Sequence, residues 1–192
     1  MTLCIGIDGC RDGWLSVAWN GAPDSHPIIR VLPSIRAVTL DPSDIVAIDI
    51  PIGFMDVAVE GGREAEKEVR RQLPGKSSSV FSAPCRAALS ASDHSEASAL
   101  NRANSSAPGI GLSRQSAAII PKMREVDQFI SPARQLQFFE THPELIFSIM
   151  NGGKPVLSKK RQLAGRNERI HLLRLNGFPV DHARQHIPSR GQ

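Results

Sequence analysis

Two short apolar runs, residues 3–7 and 45–48, each end on an aspartate, Asp8 and Asp49. Runs this compact and continuously apolar suit strands covered on both faces, as in parallel or mixed sheets. A carboxylate inside a stretch as apolar as 45–52 is costly to bury unless it has a partner. The chain is therefore constrained to an α/β arrangement in which two strand ends carry unneutralised charge.

The remaining segments fill in that arrangement. Residues 14–19 alternate as a second strand, closed by the turn pair Asn20-Gly21, and 28–32 form a short β-branched third. Residues 34–39, opened by Pro33, predict a short helix before the fourth strand at 45–50. A charged helix is expected at 63–73, stopped by Pro74-Gly75, and the Ser-rich stretch 76–84 is irregular. Residues 93–104 read as a polar helix with Asp93 as N-cap and Glu96 three residues on, a capping box. After a loop at 105–112, residues 113–130 are apolar at helical spacing, with Pro121 starting, kinking or breaking the helix. A fifth strand is expected at 136–142, followed by a helix from Pro143 to Met150. The last helix, 166–176, ends at Gly177. The order predicts a single domain over 1–192, a mixed five-stranded sheet flanked by helices. A helical insertion at about 55–134 follows the fourth strand, the layout of a ribonuclease H-like core.

Composition narrows the class. At 192 residues, 41% of them hydrophobic, the chain can bury one proper core. No apolar run approaches the roughly 20 residues needed to cross a bilayer, and 3–7 is too short for a signal peptide. A cytoplasmic protein with no membrane partner is expected. Cys4, Cys10 and Cys85 fall in no paired spacing, which argues against disulfides and metal motifs. Residues 1–100 carry 9 Lys/Arg against 13 Asp/Glu, whereas 101–192 carry 14 against 6. That split suits an acidic metal site beside a basic, polyanion-facing surface, and equally a solvated basic face. With no tyrosine and 5% aromatics, stacking platforms for single-stranded nucleic acid are thin.

Ligands in open α/β sheets gather outside the carboxyl ends of strands. If the first and fourth strands are parallel neighbours, Asp8 and Asp49 converge there, and close like charges raise a pKa or recruit a cation. Oxygen-only ligands suit Mg²⁺ or Mn²⁺. The plain alternative is that each aspartate caps a turn, a stronger reading for Asp8 than for Asp49. In Phe139-Glu140-Thr141-His142-Pro143-Glu144, strand alternation puts Glu140 and His142 on one face and Glu144 in the first helical turn. There Glu144 alternatively complements the helix dipole.

Six segments match one pattern in register from about Gly6 to about Leu175. They are Gly6 to Trp14, Ile48 to Gly53, Ser78 to Pro84, Pro121 to Asp127, Glu140 to Glu144, and Ser158-Lys159-Lys160. The chain thereby resembles the bacterial and archaeal domain-of-unknown-function family 429, described as predicted nucleases with a ribonuclease H fold. The resemblance implies that fold, a nuclease activity, and acidic positions at Asp8, Asp49, Glu140 and Glu144 with His142 beside them. It also implies that the Ser78 and Pro121 segments belong to a helical insertion facing the site. Members of the family usually continue into a further helix opening with paired acids. Here Asp181 is the sole acid after Glu168, which points to a truncated or degenerate member.

The expectation is a divalent-metal-dependent phosphodiester hydrolase. Asp8, Asp49 and Glu140 would hold Mg²⁺ or Mn²⁺, with His142 as proton shuttle and Glu144 among the catalytic acids. Lys122, Lys159 and Lys160 would contact substrate phosphate, nucleic acid being one such partner. A non-catalytic nucleic-acid or protein-binding module is the alternative, and an actin-like phosphotransferase using Gly9–Gly13 a further one.

Overall fold

The computed structural model describes residues 2–186. The chain forms two compact units, one made of residues up to Asp49 and from Ile130 onward, the other of Ile50–Phe129.

The first unit is built on a five-stranded sheet ordered β3-β2-β1-β4-β5. Its strands are β1 (Cys4–Cys10), β2 (Gly13–Trp19), β3 (Ile28–Leu32), β4 (Ile45–Ile48) and β5 (Phe138–Glu140). Strands β1, β2 and β3 pair antiparallel, while β4 lies parallel to both β1 and β5. This mixed sheet with helices, and a helical segment after the fourth strand, is consistent with the ribonuclease H-like layout. The sheet buries one face thoroughly. Ile5, Ile7, Trp14, Val46, Ile48 and Phe138 are all at most 5% exposed, and by alternation they share that face. Gly13, which opens β2, has φ 129°, and a Cβ there would lie 2.1 Å from the Leu32 carbonyl oxygen. Only glycine lets the β1–β2 turn pass that close to β3.

Several expectations are corrected at element ends. The helix expected at 34–39 is a single 3₁₀ turn, Ile35–Ala37, opened by the Arg36 amide donating to Ser34 Oγ at 3.1 Å. The fifth strand is shorter than 136–142 because a short helix, Pro132–Gln135, precedes it and leaves Leu136 86% exposed. At its other end Pro143 claims His142 as N-cap of the following helix, Pro143–Met150. The last expected helix begins earlier, at Leu163, and runs to Leu175. A further helix, Val180–His186, buries Val180 and Ala183.

The second unit holds the helices Glu64–Gln72, His94–Ala103, Arg114–Ala118 and Ile120–Phe129. In chain order the helices are α1 to α4 here, then α5 (Pro132–Gln135), α6 (Pro143–Met150), α7 (Leu163–Leu175) and α8 (Val180–His186). Pro121 sits in the first turn of α4, where its missing N–H costs nothing, so 113–130 divides into α3 and α4 rather than one kinked helix. Asp93 Oδ1 accepts from the Glu96 amide at 2.9 Å, as a cap should. Glu96 reaches back one residue further than expected, to the Ser92 amide at 2.7 Å. The Ser-rich stretch is ordered as a 3₁₀ turn, Ser77–Ser79, followed by a segment held by Arg70, which donates to the Val80 carbonyl at 3.0 Å and to Ser82 Oγ at 2.9 Å. Buried Asn101 accepts from the Cys85 amide at 2.8 Å and donates to the Ile110 carbonyl at 2.9 Å, fixing the loop over α2. Among the described residues no helix is long and apolar enough to cross a membrane.

Candidate metal centre

Strand register assembles the site. Ile7 pairs with Ile48, and the Asp49 amide donates to the Ile7 carbonyl at 3.1 Å. Asp8 and Asp49 therefore each stand one residue beyond that pair, on the same face and at the same end of two parallel neighbours. Parallel strands lie about 4.8 Å apart, so the carboxylates are direct neighbours. Thr141, whose amide donates to the Ile48 carbonyl at 2.9 Å, continues the row on the β5 side.

The electrostatics follow from this packing. Burial and the neighbouring Asp8 charge push the Asp49 carboxyl up to about 6, with Glu140 adding to the repulsion and Lys160 opposing it. Asp8 is more open to water, yet desolvation by the surrounding protein still raises it. The Gly9 amide and Lys160 pull the other way. Two carboxylates that resist ionising together are what a cation relieves.

Glu140 does not complete a set with them. It pairs with Ile48, so by register it faces away from Asp8 and Asp49, while its charge still raises Asp49. Of the three carboxylates expected as ligands, the register puts two, Asp8 and Asp49, on one face. Among the described residues no group of three or more His, Cys, Asp or Glu side chains is placed to hold a metal ion. A pair remains chemically sufficient for Mg²⁺, which is commonly held by one or two carboxylates and completed by water and substrate phosphate.

Glu144, expected among the catalytic acids, is engaged in a buried ion pair. Its Oε2 accepts from Arg169 Nη2 at 2.6 Å in an ion pair whose side chains are 11% and 8% exposed. The same guanidinium donates to the Gly165 carbonyl at 2.9 Å and the Ser158 carbonyl at 3.1 Å, and lies over the Phe147 ring. Arg169 therefore ties α6, α7 and the segment before α7 together. It carries no sequence signal, because a buried arginine in a basic helix looks like any other.

That segment carries Lys159 and Lys160. It passes so close to α7 that a Cβ at Gly165 would lie 2.3 Å from the Lys159 carbonyl oxygen. Ser158 Oγ donates to Glu168 at 2.5 Å, anchoring the turn from the other side. The outcome is that Lys160, exposed to solvent, acts on both carboxylates. His142 is the N-cap of α6, one residue past Thr141, rather than a strand residue in line with Glu140. Lys122 lies on α4 of the second unit.

Beneath the carboxylates the same face opens into a cavity of about 400 Å³ between the sheet and helices α6 and α7. No curated protein and no solved structure matches the chain. A family model described as "Protein of unknown function (DUF429)" matches residues 6–191, and so runs from within β1 through all the later strands and helices. On that match the chain belongs to the DUF429 family.

Proposed function

We propose that the protein is a divalent-metal-dependent phosphodiester hydrolase centred on Asp8 and Asp49. One observation carries the reading: two carboxylates stand side by side, each one residue past the last pair of the parallel β1–β4 ladder, with Asp49 held at about 6 by burial and by Asp8. Asp8 and Asp49 hold Mg²⁺ or Mn²⁺. When bound, such an ion lowers the pKa of water and stabilises charge on the phosphoryl and leaving oxygens. Lys160, fixed beside the pair by the Gly165 and Arg169 contacts, neutralises the substrate phosphate as a point charge. His142 carries the proton to the leaving oxygen, imidazole being the side chain suited to proton transfer near neutral pH. Glu144 orients the Lys159-Lys160 segment through Arg169 without touching substrate.

The test is a thermal melt of wild type and Asp49→Asn, each with and without Mn²⁺. Mn²⁺ should raise the wild-type midpoint and leave the mutant unmoved, and hydrolysis of a chromogenic phosphodiester should vanish in the mutant. A wild type indifferent to Mn²⁺, with a mutant that melts lower, would leave the binding-module reading in its place.

A further inference from the structure

The floor of the cavity under the carboxylates has two small residues at its centre, flanked by Leu15 and Val17 of β2. Gly6 pairs with Ala47 in the row immediately before Asp8 and Asp49, and Val17 flanks Gly6 on β2. A Cβ built on Gly6 meets nothing nearer than the Val17 carbonyl at 4.0 Å, so the space above is open. Ile146, Phe147 and Met150 of α6 form the wall. The result is a trough whose lining is apolar except at one end, where Asp8, Asp49 and Thr141 stand. Ile146 at its rim is 39% exposed, so the trough communicates with solvent.

A pocket of this size takes a small ligand, and its few polar groups fix which end of that ligand goes where. From the Asp8–Asp49 row to the Gly6–Ala47 row is two residues, about 7 Å along the strands. A group esterified to a phosphate held at the first row therefore reaches the second. The trough interior offers a methyl- and methylene-lined surface, with Phe147 as its aromatic member and that ring already lying under Arg169. It presents no array of donors and acceptors to read a base edge, as nucleotide recognition requires.

We propose that the substrate is a small, soluble phosphodiester bearing an alkyl or aryl group, and that this group occupies the trough lined by Gly6, Ala47 and Ile146. The inference rests on the hydrolase reading for the position of the phosphate, but the trough itself does not. In the reaction, water oxygen bonds to phosphorus and one P–O ester bond breaks. The leaving oxygen takes a proton, giving a phosphomonoester and an alcohol.

The experiment titrates methyl phosphate, octyl phosphate and a thymidine dinucleotide into the full chain by calorimetry, with and without Mn²⁺. Octyl phosphate should bind at least 10-fold more tightly than either of the others. Ala47→Phe, which fills the trough, and Ile146→Gln, which makes its rim polar at an exposed position, should each shrink that preference to less than threefold. Equal affinity for octyl and methyl phosphate overturns the proposal. So does an octyl preference that survives both substitutions, or a dinucleotide that binds as well as octyl phosphate. Should Mn²⁺ leave all affinities and the melting point unchanged while the octyl preference and its loss persist, the hydrolase reading falls and the trough assignment stands.

Discussion

Asp49 sits where two physical demands conflict. Its neighbours Ile48 and Ile50 are buried, at 0% and 4% exposure, which draws the segment out of water. The Asp8 charge beside it then penalises ionisation further. Because the folded-state pKa is raised to about 6 from an ordinary value near 4, the unfolded chain releases this proton first as pH rises. The folded state thus loses stability relative to a protonated Asp49 as pH climbs from about 4 through about 6. A rise of that size corresponds to about 3 kcal/mol at most, less after solvent screening of a half-buried group. Asp49→Asn removes the titration. Urea melts in chelator should show the mutant gaining on wild type by roughly 2 kcal/mol between pH 4 and pH 7, with little difference below pH 4. A constant offset across that range would mean that the carboxylate is not held out of its normal range. Saturating Mn²⁺ should reverse the order at pH 7, because only the wild type gains from binding.

At the scale of elements, the placement of the site depends on how α6 and α7 are locked. The Glu144–Arg169 pair is buried, and removing one partner leaves an uncompensated charge, a loss of roughly 3–5 kcal/mol. Glu144→Ala should therefore melt well below wild type yet keep its Mn²⁺ response, whereas a catalytic acid would show a normal melt and lost activity. The same contrast marks what a sequence can and cannot reveal. The apolar runs that lead into Asp8 and Asp49 are legible because such a run broken by an acid has few readings, although β1 continues two residues past Asp8 through its pairing with β2. Alternation alone does not say which face Glu140 shares with the aspartates, because that depends on register, and a one-residue difference in pairing reverses every side chain. The short helix Pro132–Gln135 and the N-cap at His142, which bound β5, are likewise not visible from alternation alone. Glu144 reads as a free acid because its partner lies 25 residues away in a helix that carries other arginines. Lys160 is found by motif, but its proximity to the carboxylates depends on Gly165, whose missing side chain lets the chain pass.

For the molecule as a whole, the excess of basic residues in 101–192 is the background against which any phosphate compound is held. A net charge of +4 attracts any polyanion at low ionic strength. Such binding comes from many loose phosphate contacts, each releasing counterions. A protein making about six to ten of them loses about 10³–10⁵ in affinity between 50 and 200 mM salt. A ligand with one phosphate and an apolar group behaves differently. Its single ionic contact contributes a slope near one, so the same change in salt weakens it by about fourfold at most. Its apolar part is unaffected or slightly favoured as salt rises. Titrating a 20-nucleotide single strand and octyl phosphate in parallel across that range should therefore separate the two modes. The strand should lose measurable binding by 200 mM, and octyl phosphate should keep most of its affinity. Nucleic-acid binding that stays tight at 200 mM salt would instead assign the basic half to a polymer and count against the trough as the substrate's seat.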